Sequence, residues 1–532
     1  MKKKICLERI VSYIFLQGIK ILFFSALFLS ILICFIFSGL DYARKCNYMP
    51  NFILVIYGMT MLAGIYMIIQ IVSEIKCGRE ICLKTKFRLF LIGSFLFSLV
   101  QIFAIHNYYF KTDWDVSTII RAAMDAADHK SMEPYELYFS QYPNNLFILF
   151  CYSIIIKMAN FIGLRSYSYF CILVFQCMLC WLSGYLLFQI VNILERSYRK
   201  AVFAYAIWVL LIGISPWISI PYSDTMALVF PLLIFWIYLQ NGRGKPFLFW
   251  KWFFIMFFSV IGYRLKPQVL ILAISIGLIC IFLSFHLKSV RGQMKKTYIP
   301  VIGLMMGLLA SAVVNRAAIG SLDIEVDAEK AFGMTHYAMM GMNPDAKGVW
   351  AKEDVEFSAS FETAEERSHM NMEKLKERLD AMGAKGVLRQ LCYKTLTNYN
   401  DGTFCWGGEG SFYAELRGEK TIYFSALLRK IYYNRKYMGE FYPLWSNFAQ
   451  SIWMAVLVLS LASVASKKEE VHTIMLSIVG ITVFELIFEA RARYLFIYVP
   501  FYIILAVRGA SVLKWMCKNK FRERQNSQTT QT

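Results

Sequence analysis

The feature that most constrains the fold of this chain is a long series of apolar runs separated by short basic segments. A hydrocarbon core about 30 Å thick is crossed by about 20 helical residues. The runs that we predict as spans are 12–38, 51–73, 88–105, 168–194, 200–218, 222–240, 250–265, 267–287, 298–315, 448–465, 472–488 and 493–513. The sequence therefore predicts an all-α polytopic membrane protein with about 12–13 transmembrane helices.

The composition agrees with this class and removes one alternative. The chain is 58% hydrophobic and has a formal net charge of +20, which in a soluble protein would suggest a nucleic-acid partner. Here most Lys and Arg residues lie between apolar runs, as the positive-inside rule requires, so no nucleic-acid partner is expected. The run 12–38 follows Lys2-Lys3-Lys4 and lacks a cleavage site, so we interpret it as a retained anchor.

The charge pattern also predicts which segments share a side of the membrane. Placing the basic connections in the cytoplasm puts three polar segments outside, namely 106–144, a large loop at 316–447, and 489–493. Counting the apolar segment 145–163 as a crossing would invert the downstream assignments, so we predict that it is either re-entrant or lies along the interface. The predicted units are 1–87, 88–315, 316–447, 448–513 and a tail at 514–532, with the large loop forming a domain of mixed structure.

The first external segment contains two carboxylates around a tryptophan, Asp113-Trp114-Asp115. Apolar residues at helical spacing predict a helix from Asp115 to Ala127, broken near Glu133-Pro134. Asp113 or Asp115 would then suit the helix N-cap. The same pair also suits a general base beside a sugar-binding aromatic ring, and the two roles are compatible.

Two external turns carry charges that the topology does not explain. Pro221-Tyr222-Ser223-Asp224 precedes an apolar run, where Ser or Asp could cap a helix. Arg264 and Lys266 lie outside, against the local charge rule, so we expect them to meet a lipid-linked phosphate or lipid headgroups.

Two later segments complete the candidate site. In Glu489-Ala490-Arg491-Ala492-Arg493-Tyr494, arginines two positions apart do not share a helix face, so they should have different partners: a phosphate and an acid such as Glu489 or Glu485. The Gly-rich segment 402–410 contains Trp406 and Glu409 and lacks a nucleotide P-loop. It either covers a substrate or packs Trp406 against the membrane domain.

The order of these segments resembles the GT-C superfamily of polyprenyl-phosphate-sugar-dependent glycosyltransferases. The likeness is to the branch with protein mannosyltransferases and bacterial aminoarabinose transferases, and it covers roughly residues 88–513. It rests on the Asp-x-Asp loop, Tyr142-Pro143, the Pro-Tyr-Ser-Asp turn, the large external loop and the Glu-x-Arg-x-Arg-Tyr segment.

The resemblance implies a GT-C-like bundle and an inverting transfer of sugar to an acceptor hydroxyl. It implies Asp113 or Asp115 as base and phosphate-binding cations among Arg264, Lys266, Arg491 and Arg493, with Tyr142, Tyr222, Asp224, Glu489 and Tyr494 around the donor. A divalent metal ion could bridge Asp113, Asp115 and the phosphate, although the thirteen scattered cysteines and six histidines form no metal-ligand motif. Two features depart from the family: Pro143-Asn144-Asn145-Leu146 replaces its Pro-Pro-Leu, and two extra spans come first.

The expected partners are a polyprenyl-phosphate-linked sugar, a glycan, protein or lipid acceptor, and membrane lipids. The expected location is the bacterial cytoplasmic membrane, with the site on its outer side. Two other functions are considered, a flippase for lipid-linked oligosaccharide and a polysaccharide polymerase or ligase. A flippase would place charges near the middle of its spans and show pseudo-symmetric halves.

Overall fold

The computed structural model describes residues 2–38, 49–74, 83–112, 114–242, 244–284, 290–408, 423–433 and 439–529. Within these ranges the chain contains helices and no strand, which confirms the predicted all-α class. The α-helices are α1 (Lys2–Ile36), α2 (Asn51–Glu74), α3 (Leu83–Tyr108), α4 (Asp115–Ala127), α5 (Glu136–Gln141), α6 (Leu146–Phe161), α7 (Ser168–Glu195), α8 (Tyr198–Trp208), α9 (Ser223–Met226), α10 (Val229–Leu239), α11 (Lys245–Leu265), α12 (Val269–Ser284), α13 (Val290–Gly320), α14 (Met334–Gly341), α15 (Lys352–Ala359), α16 (Ala364–Tyr399), α17 (Tyr423–Tyr432), α18 (Tyr442–Ala462), α19 (Glu469–Ile487) and α20 (Val499–Thr529).

Ten helices of the described ranges are long and apolar enough to cross a membrane, fewer than the twelve spans predicted. Nine of the ten coincide with predicted spans. The run 200–218 is broken, because α8 passes into a π-helical turn and Pro216 then begins a 3-10 turn. The runs 222–240 and 267–287 contain apolar helices that are shorter than a full crossing. Apolar composition in these three runs therefore does not fix helix length.

The tenth apolar helix of that length is α6, at the segment predicted to be re-entrant or to lie along the interface. Its first turn follows Asn145, whose amide donates to the hydroxyl of Tyr138. Near its last residue, Asn160 donates to Asp128, which follows the end of α4. Helix α7 begins seven residues after α6 ends, and its Tyr169 donates to the carbonyl of Phe110, just after α3. Both ends of α6 therefore lie at the same end of the bundle, which agrees with an interfacial helix.

The two ends of the bundle differ in charge. Around the junction of α7 and α8, Glu195 accepts from Lys200 at 2.6 Å and from Arg508 at 3.2 Å, and Arg199 pairs with Glu74. We call this the basic end. The residues discussed as a site below lie at the opposite end, which we call the far end.

The two extra N-terminal helices are part of the bundle. Helix α2 packs along α18, and α1 packs against α19. A buried amide cluster fixes the first of these contacts, because Asn51 and Gln450 hydrogen-bond to each other and both donate to Asn400. Buried amides that satisfy one another hold helices in a defined register.

Residues 321–441, between α13 and α18, form the loop domain. The prediction of mixed structure is wrong for its described residues, which form helices and turns only. Helix α16 is its longest element and bends at Gly383, whose φ of +58° favours glycine. Arg367 holds the domain together, since its guanidinium donates to the carbonyls of Glu329, Ser358 and Phe361.

Candidate functional site

The centre of the candidate site is Asp115, the first residue of α4. The observed helix has the predicted bounds, but its N-cap is Trp114, without a side-chain cap. The capping role predicted for Asp115 is therefore wrong. Its carboxylate instead accepts a 2.9 Å hydrogen bond from the hydroxyl of Tyr222. Asp113 lies outside the described residues.

A buried ion cluster lies next to this pair, around Asp224. One carboxylate oxygen of Asp224 accepts from the ammonium group of Lys266, and the other is 3.4 Å from the guanidinium of Arg493. These side chains are between 3% and 8% exposed. Asp224 lies in the short helix α9, whose N-cap is Tyr222, so capping does not explain the position of Asp224 either. Three distant segments thus contribute charges to one buried point, where unpaired charges would be costly.

Aromatic rings surround the guanidinium of Arg493. Its carbon lies 4.6 Å from the ring centre of Trp114, 5.2 Å from Tyr222 and 5.5 Å from Tyr494. The ammonium nitrogen of Lys266 lies 4.4 Å from the ring centre of Tyr494. Cation–π attraction of this kind stabilises a desolvated cation. It leaves the N–H groups of the guanidinium, which lie in its plane, able to donate hydrogen bonds.

Arg491 and Arg493 have different partners in the structure, and both partners are acidic side chains; the predicted phosphate partner stays a prediction. Arg491 donates to Glu489 at 3.2 Å, and Tyr494 donates to the other oxygen of Glu489 at 2.9 Å. Arg493, two positions on, belongs to the Asp224 cluster. The segment begins as extended backbone and becomes a 3-10 helix at Ala492–Tyr498, which separates the two side chains.

Two tyrosines of the first external segment approach the same carboxylates. Burial raises the pKa of Tyr142, and the negative charges of Asp115 and Glu489 raise it further. Burial and then Asp115 also raise the pKa of Tyr138. Tyr142 was predicted from its Tyr-Pro motif, whereas Tyr138 has no sequence signal beyond its place in the same loop. Both phenols therefore stay protonated at neutral pH and serve as hydrogen-bond donors.

Two further buried groups lie close enough to the site to interact with its charges. Glu485 is fully buried near the end of α19, and its carboxylate accepts no hydrogen bond from the described residues. Lys394, on α16, donates to the carbonyls of Gly341 and Phe488. Burial lowers the pKa of Lys394 to about 7, against the opposing effect of Glu485 and Glu489. The sequence draws attention to Glu485, because it is an acidic residue in an apolar run. No pattern in the polar helix α16 indicates that Lys394 is buried.

The structure keeps other predicted residues away from this cluster. Arg264 is exposed, and its guanidinium lies 5.9 Å from the ring centre of its neighbour Tyr263. Trp406 is fully buried, where its indole donates to the carbonyl of Tyr432 and packs against Trp217. Of the two roles predicted for Trp406, the contacts match packing against the membrane domain. Glu409 lies outside the described residues.

The described residues do not fit the divalent metal that the resemblance allows. No group of three His, Cys, Asp or Glu side chains among them is placed to hold an ion. Asp224 is already shared by two cations, and Asp115 is bound by Tyr222. We therefore derive no step through a metal ion.

Comparison with known proteins gives the family and no activity. No curated protein matches the chain, and no solved structure does. One family matches residues 9–511, and its description is "conserved hypothetical integral membrane protein". Because this match covers nearly the whole chain and includes every predicted site residue, the protein belongs to that family and is a multi-pass integral membrane protein.

Proposed function

We propose that this protein is a membrane glycosyltransferase that moves a sugar from a polyprenyl-phosphate carrier to an acceptor hydroxyl. One observation carries the proposal: a carboxylate and two cations from distant segments meet at the far end of the bundle. Asp115 is joined to Tyr222, whose ring packs against Arg493, and Arg493 shares Asp224 with Lys266. The arrangement supplies a proton acceptor and a phosphate-binding pair within one site.

Arg493 is the group best placed to receive the donor phosphate. Charge-assisted N–H···O bonds are usually 2.7–2.9 Å long, and the contact between Arg493 and Asp224 is 3.4 Å. A phosphate oxygen can therefore replace this weak contact while Asp224 keeps its bond to Lys266. The guanidinium then stabilises the charge that grows on the departing phosphate.

Asp115 is the proposed base. In a single displacement its carboxylate takes the proton of the acceptor hydroxyl, and that oxygen forms a bond to the anomeric carbon. The bond from that carbon to the phosphate oxygen breaks, its electron pair leaves with polyprenyl phosphate, and the anomeric configuration inverts. The Tyr222 hydroxyl orients the carboxylate, as the 2.9 Å hydrogen bond indicates.

The charge distribution supports an external site. Lys and Arg concentrate at cytoplasmic ends of spans, so the basic end belongs in the cytoplasm. The site at the far end then faces the outer side, where a lipid-linked donor arrives within the membrane. We propose a bacterial cytoplasmic membrane as its location.

The position of the charges also favours a transferase over a flippase. Lys266 directly follows α11, and Glu485 lies two residues before the end of α19, both at the far end of their helices. A translocation path would place such groups along the middle of the spans. The proposed charges are instead gathered at one boundary, where donor and acceptor meet.

One experiment separates these two functions. The purified protein is reconstituted in liposomes with the polyprenyl-phosphate sugar that co-purifies with it. Mass spectrometry identifies the lipid, and its distribution between the two leaflets is measured. A transferase given acceptor-containing envelope extract converts the sugar lipid to polyprenyl phosphate. Movement of intact sugar lipid between leaflets, with no polyprenyl phosphate formed, would overturn the proposal.

A further inference from the structure

A cavity of about 760 Å³ opens in the loop domain, outside the ion cluster described above. Its size lies within the range of cavities that hold small organic ligands. Its lining includes Asn343, Asp345, Trp350, Lys352, Glu353, Lys374 and Arg378. These residues come from the turns after α14, from the start of α15 and from α16, so the cavity is a property of the folded domain.

The charges around this cavity argue against an anionic ligand. Each of its three cationic side chains already has a carboxylate partner within 3.2 Å. The pairs are Lys352 with Glu356, Lys374 with Glu377, and Arg378 with Asp354. Two more carboxylates in the lining, Asp345 and Glu353, have no cation within ion-pair distance among the described residues. The cavity therefore offers hydrogen-bond acceptors to a neutral polar ligand.

Trp350 gives the cavity an aromatic wall. Its side chain is 48% exposed, although a tryptophan of a folded domain usually buries most of its surface. An exposed indole beside carboxylates matches the chemistry of a sugar ring, which has an apolar C–H face and a rim of hydroxyls. The ring can lie on the indole while the hydroxyls donate to the carboxylates.

The floor of the cavity is rigid. The side-chain oxygen of Asn343 accepts from the backbone N–H groups of Asp345 and Ala346, and its amide nitrogen donates to Asp354 at 2.9 Å. Arg378 fixes the same carboxylate from the other side. A wall whose polar groups are held in place loses little conformational entropy on binding.

The cavity rim is bonded to the segment that carries the site arginines. The carbonyl of Gly348 accepts a 2.8 Å hydrogen bond from the backbone N–H of Ala490, between Glu489 and Arg491. Gly348 has a φ of +79°, and a Cβ there would lie 2.6 Å from the carbonyl oxygen of Gly341. Only glycine fits this junction, which links the turn within the cavity-lining segment to the backbone between Glu489 and Arg491.

We propose that this cavity binds a neutral oligosaccharide, with a sugar ring stacked on Trp350. If the proposed transferase function holds, on which this part of the inference rests, the bound oligosaccharide is the acceptor chain. The acceptor is then a glycan, and the loop domain selects it. The described residues of the domain present no strand edge that could bind an extended peptide.

The test measures binding and needs no turnover. Full-length protein in nanodiscs is applied to an array of neutral and anionic bacterial surface oligosaccharides, and the affinity of the best neutral one is measured by titration calorimetry. Trp350→Ala should weaken binding about tenfold or more, because it removes an aromatic stacking contact and its buried area. Trp350→Phe should retain most of the affinity. Trp515→Ala is the matched control, since Trp515 is 65% exposed on α20.

Several results would overturn the inference. These are the absence of any glycan binding by the wild type, a preference for anionic glycans, and equal affinity of the wild type and Trp350→Ala. Turnover of Asp115→Asn tests the transferase mechanism separately from the glycan site. If that variant binds the oligosaccharide normally and keeps full turnover, the transferase mechanism fails while the glycan site stands. If it loses turnover while Trp350→Ala binds like the wild type, the reverse holds.

Discussion

The hydroxyl of Tyr222 donates a 2.9 Å hydrogen bond to the carboxylate of Asp115, across 107 positions of the sequence. This bond joins the first external segment to the turn that carries Asp224. Because Arg493 packs on the Tyr222 ring, the same tyrosine connects the proposed base to the proposed phosphate-binding cation. Tyr222→Phe should therefore keep the aromatic contact and lose only the orientation of Asp115. We expect turnover to fall by about tenfold, with donor affinity unchanged.

Arg493 and Arg264 provide a matched pair of arginines. Arg493→Ala should weaken binding of the polyprenyl-phosphate donor by about tenfold or more, because it removes a desolvated guanidinium from the site. Arg264→Ala should change donor affinity by less than about twofold, since its guanidinium is exposed and lies 5.9 Å from the ring centre of Tyr263, away from the ion cluster. Donor affinity is measured by displacement of a labelled polyprenyl phosphate. Equal losses in the two variants would contradict the assignment.

Asp224 neutralises two buried cations, so its removal should be costly. Asp224→Asn leaves Lys266 and Arg493 without their shared carboxylate, and we expect a loss of about 3–5 kcal/mol of stability. Lys266→Met in the same chain should recover part of that loss. Thermal unfolding in detergent measures both. Glu356→Gln, in an ion pair whose side chains are 72% and 63% exposed, is the control and should change little. Normal stability of Asp224→Asn would show that the cluster is not held by this charge.

The loop domain should lose stability in mild acid through His336. Burial lowers the pKa of His336 to about 4, from an ordinary value of 6.5. Between these pH values the unfolded chain binds more protons than the folded one, so stability falls as the pH drops from 6.5 to 4. The full effect is about 3 kcal/mol. Unfolding followed by hydrogen exchange in the loop domain measures it.

The control for this prediction is His336→Asn, which retains a polar partner for Ser358 and has no imidazole to titrate. Its stability between pH 6.5 and 4 should vary less than that of the wild type. An identical pH dependence in the two proteins would assign the effect to other groups.

The sequence predicts well what depends on local pattern. Apolar runs predict nine of the ten described helices that are long and apolar enough to cross a membrane, and helical spacing predicts the bounds of α4 at Asp115 and Ala127. It fails where tertiary packing decides. A run that is mostly buried, such as 222–240, is apolar for packing reasons and does not reach the length of a span.

In the candidate site, too, the sequence predicts what depends on local pattern and fails where tertiary packing decides. Arg264 and Lys266 are two positions apart and look equivalent in the sequence, yet one is exposed and the other is buried against Asp224. Helix α11 ends at Leu265, and this change of backbone direction separates the two side chains. Lys394 lies in a polar helix whose pattern gives no sign of burial, because its partners are backbone carbonyls of other segments. Such contacts depend on how distant segments meet.

The central claim is tested most directly by the turnover of Asp115→Asn beside that of Asp128→Asn. The two aspartates flank the same helix: Asp115 is the first residue of α4, and Asp128 follows its last residue and pairs with Arg165 at 2.6 Å. The measurement is the rate at which reconstituted protein releases polyprenyl phosphate from the sugar lipid. We predict that Asp115→Asn lowers this rate by about 10²–10⁴ while donor affinity stays normal, and that Asp128→Asn stays near the wild-type rate. A wild-type rate in Asp115→Asn would contradict the account.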